Sequence, residues 1–187
     1  ANSSYMVWQS IWRDLFGLEP SKSSQEQIDL LTKQVAAMNP LWMQRLPLLD
    51  TILQLPIPES DLTRSMDAKL RKTSLESLLV DVLRLRTQTA AHPMMMILED
   101  CHWLDPLSDE LLLAISRGVA DRPVCILLVS REGLEERRPA INRLAHASQV
   151  QLAQMSTSEA MELITLRLAE LSDERIGVSD ALVERLV

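Results

Sequence analysis

The chain has 187 residues, of which 47% are apolar and 24% charged, which is enough apolar sequence to build the core of a domain of ordinary size. Its formal net charge of −7 argues against nucleic-acid binding, which depends on positive side chains that neutralise the phosphates. The chain has only four glycines, and no two of them have the spacing of a phosphate-binding loop or a dinucleotide fingerprint: Gly17, Gly118, Gly133 and Gly177.

The two cysteines and the ends of the chain bear on its compartment. Cys101 and Cys125 are too few for a disulfide framework in a chain of this length, which favours a reducing compartment. No apolar run reaches the length of a membrane span, and the first residues lack the basic start and apolar stretch of a signal peptide. We therefore expect a soluble, cytoplasmic protein with no membrane partner.

The first helices are predicted from apolar periodicity and from their end signals. Aromatic residues recur every three or four positions from Tyr5 to Phe16, and Gly17 is placed to end that helix. Ser23 and Glu26 have the spacing of a capping box, which predicts the start of a second helix.

Two further helices are predicted before residue 93. One covers about residues 42–55 and runs into the break at Pro56 to Pro58. After a polar loop, a longer helix carries a stripe of leucines to about Thr89. Residues 1–92 are thus predicted to form a helical region.

The spacing of the apolar residues changes after residue 92. The run Met94 to Leu98 is continuously apolar and is followed by Glu99 and Asp100, which is the pattern of a strand covered on both faces. Asp105 is then placed as a helix N-cap, with Pro106 at the first helical position.

The remaining pattern alternates between strands and helices. A second buried strand is predicted over Val124 to Val129, a helix near 134–147 and a shorter strand near 149–153. A helix follows from Ser156, and a last one begins at Ser179. Such alternation predicts an α/β fold with three parallel strands joined by right-handed crossovers.

The adjacent acids Glu99 and Asp100 are the strongest chemical signal. A buried strand delivers them at its carboxyl end, where open parallel sheets bind their ligands. One carboxylate can hold a hydrated Mg²⁺, and the other can orient or deprotonate a water. The alternative is that both acids only lead the strand into solvent and cap the next turn.

Other candidate residues favour structural roles. The cysteines and histidines of this region fit no zinc-binding spacing. His102 and Trp103 follow the two acids, and we expect both to pack the turn rather than to do chemistry.

The motifs resemble, in order, those of STAND-type, AAA-like signalling P-loop ATPases. Ile97 to Pro106 reads Ile-Leu-Glu-Asp-Cys-His-Trp-Leu-Asp-Pro and looks like a Walker B segment, and Arg122 to Arg131 is similar to the sensor strand that follows it. Gln149 to Met155 resembles the last core strand, and Thr157 to Ala160 after it resembles the opening of the lid. Upstream, Arg45 to Leu55 and Asp67 to Arg84 resemble the helical insert of ATPase regions attached to class III adenylate/guanylate cyclases.

The resemblance implies roles for four residues. Glu99 would take the Mg²⁺-side position and Asp100 the position that orients water, although the first acid of such motifs is more often Asp. Ser130 and Arg131 would contact the nucleotide, with Arg131 where a sensor could reach the γ-phosphate. The implied cofactors are ATP and Mg²⁺.

The family's phosphate loop is missing from this sequence. Lys22 lies between two serines, but no apolar strand precedes it and no glycine occupies the required positions. We therefore expect a partial P-loop NTPase, divided into a helical insert (1–92), an α/β core (93–155) and the truncated start of a helical lid (156–187). The chain alone is expected to be inactive and to be completed by another part of its protein.

Three functions follow as expectations. The first is a bacterial regulatory ATPase module that controls an output domain, with a nucleotide cyclase favoured. The second is a non-catalytic scaffold of degenerate P-loop fold in a transcriptional regulator or kinase. The third is a different α/β enzyme that uses Glu99 and Asp100 as a metal site without a phosphate loop.

Overall fold

A computed structural model describes residues 4–131, 141, 144 and 146–171. The chain divides into two compact units, Ala1–Ala147 and Ser148–Val187, which are described separately. Within the described residues, none of the helices combines the length and the apolar character needed to cross a bilayer. The fold is mixed α/β and mostly helical, with a two-stranded parallel sheet. The predicted functional division at residues 92/93 and 155/156 stays a prediction.

Helices make up the first part of the larger unit. In chain order they are α1 (Met6–Leu15), α2 (Ser24–Met38), a 3-10 helix (Pro40–Leu49), α3 (Asp50–Leu53), α4 (Asp61–Arg64) and α5 (Ala68–Thr89). Gly17 has a φ of 59° just after α1, which confirms the predicted end of that helix. The reciprocal capping box of Ser23 and Glu26 is also present at the start of α2.

The third predicted helix is mostly a 3-10 helix and not the α-helix that its sequence predicted. Over residues 40–49 the chain forms a 3-10 helix, and only the four residues of α3 continue it as α-helix. Pro47 lies inside the 3-10 segment. Its ring removes one N–H donor and clashes with the carbonyl four residues earlier in an α-helix, so a tighter helix replaces the regular one.

The core of the larger unit joins its first helix to residues a hundred positions later. Trp8, Trp12 and Phe16 on α1 are fully buried. The backbone N–H of Tyr5 donates to Asp105 Oδ2 at 3.1 Å, and Trp8 Nε1 donates to the carbonyl of Ser108 at 3.2 Å. The helical region and the α/β region therefore share one hydrophobic core.

The α/β region follows the predicted order. It consists of β1 (Met94–Leu98), a 3-10 turn (Cys101–Trp103), α6 (Pro106–Gly118) and β2 (Val124–Leu128). The two strands are parallel and in register, with Met94 opposite Val124 and Leu98 opposite Leu128.

One face of this sheet is exposed, which contradicts the expectation that both faces are covered. Met96 and Leu98 are buried in the same core as the inner face of α6. The side chains of the opposite face alternate with them, and Met95 is 63% exposed and Ile97 49% exposed. Within the described residues β1 pairs with β2 alone, so the outer edges of the two strands have no strand partner there.

The predicted strand at 149–153 is also wrong. Residues 147–156 have no regular secondary structure, and the apolar side chains of Val150 and Leu152 are exposed. A strand satisfies its backbone groups only by pairing, and the described residues of the smaller unit contain no strand to pair with. The sheet therefore has two strands in the described chain, rather than three.

The described part of the smaller unit contains one helix, α7 (Thr157–Leu171). Ser156 Oγ accepts from the Glu159 N–H, and the Glu159 carboxylate accepts in return from the Ser156 N–H, which confirms the predicted start of this helix. The predicted helix near 134–147 falls almost entirely outside the described residues, and the predicted helix from Ser179 lies wholly outside them.

Candidate functional site

The ends of the two parallel strands lie side by side. The Val129 N–H donates to the Leu98 carbonyl at 2.9 Å, and the Cys101 N–H donates to the Val129 carbonyl at 2.9 Å. These two bonds extend the pairing past the strands themselves. They hold the Glu99–Asp100 segment next to the segment that leads into Ser130 and Arg131.

A left-handed residue turns the chain after β1. Asp100 has φ 50° and ψ 37°, a conformation that aspartate tolerates better than most side chains. Its carbonyl accepts from the Trp103 N–H at 2.9 Å, and the buried thiol of Cys101 donates to the Leu98 carbonyl at 3.0 Å. Both bonds fix the position of Asp100 relative to the end of the strand.

The two predicted acids are exposed to solvent. Glu99 and Asp100 are both exposed, and Asp100 Oδ1 lies 3.8 Å from Nδ1 of His102. Among the described residues, no hydrogen bond or ion pair joins either acid to Ser130 or Arg131. The backbone brings these four residues to one edge of the sheet, while their side chains remain separate.

The two residues after the acids behave differently from each other. The side chain of His102 is only 11% exposed, as expected for packing, yet both of its ring nitrogens are buried with no hydrogen-bond partner within the described chain. Trp103 is 80% exposed and contacts the His102 ring with centroids 5.0 Å apart, so the expectation that it packs the turn is wrong. The sequence carried no signal for this difference, because it depends on how the 3-10 turn is oriented.

Ser130 and Arg131 follow β2 at the same edge. Ser130 is half-buried, and its hydroxyl donates to the Arg131 carbonyl at 3.0 Å. Arg131 is exposed at this edge of the sheet. Its sensor role stays a prediction.

The donor set suits a hydrated magnesium ion only in part. Glu99 and Asp100 offer the hard oxygen ligands that Mg²⁺ takes, usually one or two per site together with waters and phosphates. Within the described residues, no group of three or more His, Cys, Asp or Glu side chains could hold a metal ion. These acids could thus contribute ligands to a magnesium ion that is also held by phosphates.

The described residues do not fit a triphosphate by themselves. A phosphate cradle needs closely spaced glycines between a strand and a helix. Gly17 follows α1 and Gly118 ends α6, and neither lies after a strand.

Asp105 is a structural residue, as its position predicted. It caps α6, with Pro106 as the first helical residue. Burial raises the pKa of Asp105, but hydrogen bonds from Ser108, Tyr5 and Leu107 outweigh burial and hold the pKa below its ordinary value. Its oxygens are therefore occupied in linking α1 to α6.

A comparison of the chain with protein-family models, curated proteins and solved structures finds no match. The resemblance to signalling ATPases thus depends on the motifs quoted above and on their order.

Proposed function

We propose that this chain forms part of a regulatory ATP-binding and ATP-hydrolysing module that controls an output domain, with a nucleotide cyclase as the favoured output. The observation that carries the proposal is the edge of the sheet where Glu99 and Asp100 lie beside Ser130 and Arg131. Ligands of open parallel sheets bind at this edge. The order of the motifs along the chain supports the same function.

The proposed chemistry divides between the two acids. In this role Glu99 would supply an oxygen ligand on the magnesium side. Asp100 would orient the water that attacks the γ-phosphorus and would accept its proton, as the bond from that phosphorus to ADP breaks. Magnesium, when bound, neutralises phosphate charge. The guanidinium of Arg131 would supply positive charge at the same edge. Another part of the protein would hold the phosphates, because the described residues have no cradle for them.

The exposed sheet face supports a second candidate, a non-catalytic interaction module. Met95, Ile97 and Leu127 place an apolar surface on a sheet of the parallel type, which is normally covered on both faces. A scaffold that docks through this surface would keep the fold without needing the acids.

The test compares this chain with the full-length gene product. Calorimetric titration of the 187 residues with ATP and Mg²⁺ should show no saturable binding. The full-length protein should bind and hydrolyse ATP. In it, Asp100→Asn should lower turnover by roughly a hundredfold or more, the contribution typical of a positioned general base, while most of the nucleotide affinity remains.

The matched control is Asp29→Asn, which makes the same change of charge at an exposed position on α2. Equal turnover in the Asp100 and Asp29 variants would show that Asp100 takes no part in the reaction. A full-length protein that neither binds nor hydrolyses ATP would favour the scaffold. Tight binding of ATP to the 187 residues alone would contradict the expectation that the cradle lies elsewhere.

A further inference from the structure

A second polar site lies at the opposite end of the sheet from the two acids. An open cleft of about 230 Å³ is bordered by the end of α2, the 3-10 helix, α5 and the segment before β2. One part of its wall is apolar and is formed by Met38, Trp42 and Leu85. Because Arg122 precedes β2 while Glu99 follows β1 in a parallel sheet, the cleft is separate from the candidate site described above.

Two arginines border this cleft, and they share one carboxylate. Arg84 binds Asp121 through both Nη atoms, at 2.6 and 3.0 Å, and Arg84 also donates to the Gly118 carbonyl. Arg122 Nε lies 3.8 Å from the nearer Asp121 oxygen, which is too far for a hydrogen bond. That nitrogen is buried and has no acceptor within the described chain.

The local charge is positive in an acidic protein. Asp81 also borders the cleft, and its carboxylate lies 3.5 Å from Arg45. Three guanidiniums and two carboxylates leave one net positive charge here, whereas the whole chain carries −7. A single negative charge would balance the site, and a second would be repelled by Asp81.

We propose that this cleft binds a small monocarboxylate with an apolar body. The guanidinium of Arg122 would donate to the carboxylate through its Nη atoms, because its side chain borders the cleft and its planar fork matches that group. Met38, Trp42 and Leu85 would contact the apolar body. The volume is below that of pockets for drug-sized ligands, which favours a small acid.

The test uses benzoate, acetate and inorganic phosphate as probes, at constant ionic strength and without nucleotide or Mg²⁺. Calorimetry and thermal unfolding should show saturable binding of benzoate, weaker binding of acetate and no preference for phosphate. Arg122→Gln should weaken benzoate binding by roughly tenfold or more, the effect of losing a charged hydrogen bond. Arg117→Gln removes the same charge from an exposed position on α6 and should change nothing.

Thermal unfolding of Arg122→Gln without ligand shows whether this variant is folded, and a second variant separates the charge of Arg122 from its geometry. Arg122→Lys keeps the charge but loses the planar fork, so it should also lose most of the affinity for benzoate. Binding that is absent in the unmodified chain, stronger for phosphate than for benzoate, or equally weakened by the Arg122 and Arg117 changes would overturn the proposal. Asp100→Asn should leave benzoate binding intact, which separates this site from the proposed ATPase.

Discussion

Replacing Gly118 by alanine would force a new methyl group into the contact between α5 and α6. A Cβ built at Gly118 would lie 2.9 Å from Cγ2 of Val80, and closer still to Cγ1. Val80 is β-branched and lies within a helix, where one side-chain rotamer is strongly preferred, so it cannot turn away without cost. The two helices would have to separate or tilt.

Two opposing effects set the size of the change. Overpacking of this kind costs about 1–3 kcal/mol. Alanine recovers up to about 1 kcal/mol of helix propensity over glycine, and less at the last residue of a helix. We therefore expect Gly118→Ala to lower the free energy of unfolding by about 1–2 kcal/mol.

A double-mutant cycle with Val80→Ala isolates the contact. Alanine at position 80 removes both methyl groups that meet the new Cβ, so Gly118→Ala should be neutral or stabilising in that background. Urea unfolding of the four chains gives the coupling energy, which we expect to be about 1–3 kcal/mol. In thermal unfolding, each kcal/mol corresponds to about 2–4 °C for a chain of this size. A Gly118→Ala variant that is more stable than the parent, or effects of the two changes that simply add, would refute this account of the interface.

Two further predictions concern the contacts between α1 and α6. Asp105→Ala removes an N-cap that accepts four hydrogen bonds and should cost about 1–2 kcal/mol in urea unfolding. Because the folded pKa of Asp105 is depressed below its ordinary 3.8, its charge stabilises the fold above that pH, and this part is lost as the pH falls through the folded pKa. The difference in the free energy of unfolding between the parent and Asp105→Asn should therefore become smaller as the pH falls. A difference that does not change with pH would show that the charge of Asp105 does not stabilise the fold. Trp8→Phe removes the hydrogen bond from the indole to the Ser108 carbonyl, whereas Trp12→Phe removes an indole N–H that has no acceptor within the described chain. Trp8→Phe should thus cost about 0.5–1.5 kcal/mol more than Trp12→Phe, and an equal cost would show that the hydrogen bond contributes nothing.

The features that the sequence predicted well are encoded by neighbouring residues. Three such features each depend on a few adjacent positions. They are the capping box of Ser23 and Glu26, the start of α6 at Asp105 and Pro106, and the positive φ of Gly17. The apolar run of β1 is equally local. These signals can be recognised in a sequence because neighbouring residues alone stabilise the backbone conformation, without tertiary contacts.

The features that were missed depend on partners distant in the chain. An apolar run predicts a strand, but whether a second face is covered depends on elements that the run does not specify, as the exposed Ile97 shows. The apolar residues Val150 and Leu152 read as a strand, yet a strand also needs a neighbour. At the candidate site, the positions of Glu99 and Asp100 at the end of β1 were predictable. The burial of the His102 ring and the cleft at Arg122 were not, because both arise from packing between separate segments.

The hydrogen bond from Trp8 to Ser108 also sets an order for folding during synthesis. Its donor is made a hundred residues before its acceptor. At ribosomal rates of about 5–20 residues per second, roughly 5–20 seconds pass between the synthesis of Trp8 and the synthesis of Ser108. During that interval the indoles of Trp8 and Trp12 are available to other apolar surfaces. A chaperone that binds aromatic segments could therefore bind α1 during this interval.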